Sequence, residues 1–100
     1  STLFPYTTLF RSGVMEAIEL YFFLGRPEKA KALAVPFLDE TFIAIEYFMG
    51  PFRGGLLSAT DAESAISTYV HVKDILDVNQ EKELAGTYTQ KLEELFKKYQ

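Results

Sequence analysis

Of all features of the sequence, the spacing of apolar residues in the last fifth of the chain restricts the possible folds most. Apolar side chains recur there in steps of three and four, at Leu84, Ala85, Tyr88, Leu92, Leu95, Phe96 and Tyr99. This period is that of an α-helix with one face turned toward a core. Lys97 and Lys98 stand at the end of the segment, where positive charge stabilises a helix. The pattern therefore predicts a helix over about 81–99.

Two more helices are predicted upstream from the same period. The first covers about 14–24 and stops at Gly25, and it leaves little polar face. The second covers about 27–49 and starts at Pro27, a residue that the first turn of a helix tolerates. Pro36 lies inside the second segment and removes a backbone hydrogen bond, which predicts a kink or a break near residues 32–35. The glycine-rich "GPFRGG" at 50–55 ends the segment.

A third helix is predicted over about 61–78. It opens with "TDAE", in which Thr60 as N-cap and Glu63 three residues later match the capping-box pattern. Asn79, which tolerates the left-handed conformation, is the expected stop. No alternating strand pattern occurs after residue 12. The chain is therefore predicted to be all-α, with two consecutive helical hairpins forming a four-helix array. Phe37 and Phe48 are expected in its core.

Residues 2–12, "TLFPYTTLFRS", look like the translation of a sequencing adapter and are set aside as non-native. We expect residues 1–12 to be irregular or to extend the first helix. The helical-repeat domain fragment is then 13–100, and the neighbour that preceded it, read from an environmental DNA fragment, is missing.

Charge and composition exclude several classes of function. Without Arg11, the ten Lys and Arg become nine against fourteen Asp and Glu, so the net charge falls from −4 to −5. This balance opposes nucleic-acid binding, which needs basic side chains to neutralise phosphates. The chain has no cysteine, which excludes disulfides and thiolate zinc sites. No window approaches the roughly 18 uncharged apolar residues of a membrane span.

Candidate chemical groups are few. His71, the only histidine, has Asp74 three positions on along the same side of a helix, and such a pair could orient a general base. No nucleophile or second base accompanies it, so a solvated histidine is the favoured interpretation. The pairs Asp39-Glu40 and Glu93-Glu94 point roughly 100° apart on a helix and are interpreted as solvated faces. We therefore predict no catalytic residue, no metal site and no cofactor.

The first hairpin, "AIELYFFLGRPEKAKAL", resembles a tetratricopeptide-type repeat. Tyr21, Gly25 and Ala30 match the tyrosine, glycine and alanine of that repeat, where glycine allows a tight turn and alanine allows close helix approach. The second hairpin has the same shape, with Asn79 in place of the glycine and one extra residue before Ala85. Its end of the chain suits a capping repeat with a polar outer face.

The order of elements over 13–100 is similar to the C-terminal end of a bacterial family of multi-spanning membrane proteins, common in Bacteroidetes, that are similar to protein O-mannosyltransferases. The resemblance rests on a "YxxLGxxEKA"-like turn, a very long helix and a final "ELAxxYxxKLEEL" helix. It implies a non-catalytic tail on the extracytoplasmic, periplasmic side of a membrane. Glycosyl transfer would belong to the absent membrane part, and none of its catalytic motifs falls in this chain.

Two functional hypotheses remain open at this stage. In the first, the chain is an interaction domain that docks against the missing N-terminal repeats, the membrane region of the parent, a protein partner or a second copy. Its expected surface comprises Phe22, Phe23, Phe52 and Arg53, since the consecutive Phe22 and Phe23 cannot face one neighbour. In the second, it is a stand-alone helical bundle that binds a ligand or carries a minor activity, with His71 or Arg53 as polar handle.

Overall fold

The computed structural model describes residues 3–50 and 59–99, with side chains for 13–50 and 61–99. Over these residues the chain forms α-helices and no strand, which confirms the all-α prediction. The helices are α1 (Leu3–Phe23), α2 (Pro27–Met49), α3 (Ala59–Val78) and α4 (Lys82–Lys98). The predicted bounds of the second and fourth helices hold to within one residue.

Helix α1 is longer than predicted at its N-terminal end. It begins at Leu3 and not near residue 14. Of the two expectations for residues 1–12, irregular structure is therefore wrong for 3–12, and extension of the first helix is correct. Pro5 lies in the first turn of this extension, where its lack of an N–H removes no intrahelical hydrogen bond.

Pro36 does not end α2, so of the predicted kink or break the break is wrong, and the kink stays a prediction. The proline leaves the carbonyl of Ala32 without its usual intrahelical donor. Both Ala32 and Pro36 are exposed, and water can satisfy a carbonyl on that face. The helix thus continues from Pro27 to Met49 because the lost bond is on its solvent side.

The chain divides into two compact units, Ser1–Phe37 and Leu38–Gln100. The buried apolar residues described in the first unit are Val14, Ile18, Ala30, Ala34 and Phe37. Those with no exposed surface in the second unit are Leu38, Ala65, Tyr69, Val72 and Leu76, and Phe48 is also buried. The prediction that Phe37 and Phe48 are core residues is thereby confirmed.

The turns after α1 and α3 have the same hydrogen-bond pattern. After α1, Gly25 has a φ of 73°, its N–H donates to Phe22, and the N–H of Arg26 donates to Tyr21 over 2.8 Å. After α3, Gln80 has a φ of 71°. Its N–H donates to Asp77, and the N–H of Glu81 donates to Leu76 over 2.9 Å. Each pair of bonds is the Schellman motif, which satisfies the last carbonyls of a helix.

The second turn corrects the prediction for Asn79. Gln80, and not Asn79, takes the left-handed conformation. Asn79 instead uses its side chain, whose Nδ2 donates to the carbonyl of Ile75 over 2.8 Å. Gln80 is therefore the counterpart of Gly25, and no extra residue precedes Ala85. The two hairpins superimpose in sequence with a constant offset: 80 minus 25 and 85 minus 30 are both 55.

The start of α3 also differs from prediction. The helix begins at Ala59, so Thr60 lies inside it and is not the N-cap. The start differs from the predicted residue 61 by two residues, which is within the usual variation of helix ends. The residue preceding α3 belongs to the stretch 51–58, which is outside the described residues together with most of "GPFRGG".

Candidate interaction surface

The predicted surface residues fall into two groups. On α1, Phe22 is half-buried and Phe23 is 85% exposed, so the two consecutive side chains do face different surroundings. Phe52 and Arg53 lie outside the described residues. The structure thus brings an exposed phenylalanine to the C-terminal end of α1.

Two leucines accompany Phe23 at this end of α1. Leu20 is 54% exposed and Leu24 is 59% exposed. The N–H of Leu24 donates to the carbonyl of Leu20 over 2.9 Å, so Leu24 continues the helical path by one residue. Residues three and four apart are neighbours on a helix surface. Leu20, Phe23 and Leu24 therefore form one exposed apolar patch.

The buried face of α1 lies on another side. Val14 and Ile18 are buried, and they lie one turn apart along the helix. An α-helix turns by about 100° per residue. The flank next to this buried face is therefore formed by Gly13, Ala17, Leu20 and Leu24. We call these four residues the open flank of α1. Gly13, Leu20 and Leu24 are exposed, and Ala17 is half-buried.

The offset of 55 assigns each residue of the open flank a counterpart in the second hairpin. The four counterparts, in the same order, are Thr68, Val72, Ile75 and Asn79. Thr68, Val72 and Ile75 are buried, with exposed fractions of 8%, 0% and 6%, and Asn79 is half-buried. The same helical flank is thus covered on α3 and uncovered on α1.

The offset of 55 also assigns counterparts to Phe22 and Phe23. The counterpart of Phe23 is Val78, which is itself 71% exposed. The counterpart of Phe22 is Asp77, a half-buried carboxylate that contacts Lys82. Neither position is covered by apolar packing in the second hairpin. The sequence analysis did not single out Leu20 or Leu24, because a helix with little polar face does not reveal from spacing alone which of its sides are exposed.

A polar and aromatic cluster joins α2, α3 and α4 inside the second unit. The hydroxyl of Tyr88 on α4 donates to Oδ1 of Asp39 on α2 over 2.8 Å. The hydroxyl of Tyr69 on α3 donates to the backbone carbonyl of Tyr88 over 2.7 Å in a buried position. The three helices are thereby tied by two hydrogen bonds that span long separations in sequence.

Lys91 lies at the exposed end of this cluster. Its Nζ lies 3.8 Å from Oδ1 of Asp39, and the two side chains are 40% and 50% exposed. The same ammonium is 4.7 Å from the ring centroid of Phe42 and 5.3 Å from that of Tyr88. These are cation–π distances. Asp39 is exposed, as its interpretation as part of a solvated face expected, and it also accepts the hydrogen bond from Tyr88.

The rings of the cluster make one edge contact and one tilted contact. The centroids of Tyr69 and Tyr88 are 6.0 Å apart at 74°, and those of Phe42 and Tyr69 are 6.1 Å apart at 44°. Burial raises the pKa of Tyr69, and the nearby Tyr88 and Asp39 raise it further. Burial also raises the pKa of Tyr88, as do its hydrogen bond to Asp39 and the charge of that carboxylate. Both hydroxyls therefore stay protonated donors at neutral pH.

His71 lies on the exposed side of α3. Its expected partner, Asp74, contacts Nζ of Lys73 over 2.7 Å. In the part of the chain with described side chains, no group of three or more histidine, cysteine or carboxylate residues is placed to hold a metal ion. The same part contains no helix long and apolar enough to cross a membrane.

A shallow groove of about 520 Å³ runs between α3 and α4. Its lining is polar and carries both signs of charge, from Lys73, Asp77, Lys82, Glu93, Glu94 and Lys97. Lys82 contacts Asp77 over 3.2 Å. Ligand pockets are mostly apolar with a few converging polar groups, and this groove has the opposite character. The apolar patch on α1 is the stronger candidate for binding.

The described residues form a small all-α array of helices in which α1 carries an uncovered apolar flank. Comparison of the chain with protein-family models, with curated proteins and with solved structures gave no match.

Proposed function

We propose that the chain is a non-catalytic helical-repeat domain that binds another helix through the open flank of α1. One observation carries this proposal: Leu20 is 54% exposed, whereas its counterpart Ile75 is 6% exposed. The repeated turn and the repeated alanine, Ala30 and Ala85, support a tetratricopeptide-like unit. Each unit of such an array buries its apolar faces against its neighbours.

The place of the domain in a larger protein is part of the same proposal. The order of the helices supports a C-terminal tail of a membrane-anchored, glycosyltransferase-like protein, located at the periplasmic face. The partner of α1 is then a preceding repeat or the membrane region of that parent. Sequencing genomic DNA upstream of the Gly13 codon tests this point, since the proposal expects further helical repeats followed by several apolar spans.

The alternative of a ligand-binding bundle has less support. The hydroxyls of Tyr69 and Tyr88 are engaged with protein acceptors, and His71 is on the far side of α3 from Tyr69. An aromatic pocket with His71 as its polar handle would need these groups to converge on one space.

Binding through α1 is tested with the double variant Leu20→Glu, Leu24→Glu. Nuclear magnetic resonance titration with a stapled helical peptide of residues 38–49 is expected to shift the α1 amide resonances of the unchanged protein. The variant is expected to lose these shifts while keeping its circular dichroism spectrum, because both side chains are already exposed. Sedimentation over rising protein concentration measures self-association in parallel. A strictly monomeric protein whose α1 resonances respond to no helical probe contradicts the proposal.

A further inference from the structure

We draw no further inference here: the strongest candidate, the open flank of α1 with its exposed Leu20 and Leu24, is an unpartnered apolar helix face, and nothing in the residues that the structure describes shows what covers it.

Discussion

Gly25 and Gln80 occupy the same left-handed backbone conformation, with φ angles of 73° and 71°, each five residues before a buried alanine. The two residues end α1 and α3 with the same pair of hydrogen bonds. Glycine takes this conformation without steric penalty, whereas a residue with a Cβ is strained by roughly 1–2 kcal/mol. The second hairpin therefore carries strain at its turn that the first does not.

Gln80→Gly is expected to stabilise the protein. The strain energy that the glycine removes from the folded state is larger than the free energy by which its extra backbone entropy stabilises the unfolded chain. The free energy of unfolding should therefore rise by about 0.5–1 kcal/mol. Urea denaturation followed by circular dichroism measures the change. Gly25→Ala, in a position with open space around the new Cβ, should show a loss of similar size. A neutral or destabilising Gln80→Gly would mean that the glutamine side chain makes a compensating contact.

This turn also illustrates how far the sequence could predict the fold. The apolar spacing and the turn residue Gly25 were sufficient to predict the helices and the order of the hairpins, because both are local signals in the sequence. Residue identity favoured Asn79 over Gln80 as the left-handed residue, since asparagine tolerates that conformation better. In the structure Asn79 instead donates a side-chain hydrogen bond to the carbonyl of Ile75. This bond depends on the path of the chain after α3, which the residue types alone do not predict.

The cluster around Tyr69 and Tyr88 and the open flank of α1 were also predictable only in part. The aromatic stripe containing Tyr88 was predictable, but the acceptor for its hydroxyl was not. Asp39 precedes Tyr88 by 49 residues, and only the packing of α2 on α4 brings them together. For α1, the sequence predicted a helix with little polar face. Which flank is bare became visible only when Leu20 could be compared with Ile75.

The bond between Tyr88 and Asp39 is expected to couple the two residues energetically. It is partly buried and has an ionised acceptor, for which we expect a coupling of about 1–2 kcal/mol in a double-mutant cycle of Tyr88→Phe and Asp39→Ala. Thermal or urea unfolding of the four proteins gives this value. Glu40→Ala, next to Asp39 but outside its bond to Tyr88, should change stability by less than about 0.5 kcal/mol. Additive losses for Tyr88→Phe and Asp39→Ala would show that the bond contributes nothing of its own.

Gly50 is expected to tolerate no side chain while Tyr99 is in place. A Cβ at Gly50 would lie 2.7 Å from the Tyr99 hydroxyl and 3.1 Å from Cζ of the same ring. Overpacking of this kind costs about 1–3 kcal/mol, and the movable ring end places Gly50→Ala at the lower limit. Combining Gly50→Ala with Tyr99→Leu should reduce the penalty of the alanine, and the remaining part is attributable to the carbonyl oxygen of Glu46, 3.2 Å from the new Cβ. The midpoint of urea unfolding measures both, and equal penalties in the two backgrounds would exclude this contact as the cause.

Alkaline pH is expected to destabilise the fold through Tyr69 and Tyr88. Both tyrosines have a pKa raised above the usual value of about 10 by burial and by the charge of Asp39. Below pH 10 both states keep their protons, and the stabilisation is complete. Above pH 10 the unfolded chain releases protons that the folded chain retains, so the free energy of unfolding falls as pH rises.

Tyr69→Phe and Tyr88→Phe remove one titrating group each and should make this fall less steep. The quantity to compare is the slope of the free energy of unfolding between pH 9 and pH 11, taken from urea titrations at fixed ionic strength. Each variant also loses a hydrogen bond at neutral pH, and this loss lowers stability without affecting the slope. Lysines titrate in the same range in all three proteins and cancel in the comparison. A slope that is identical in the unchanged protein and both variants would mean that neither tyrosine is held protonated by the folded state.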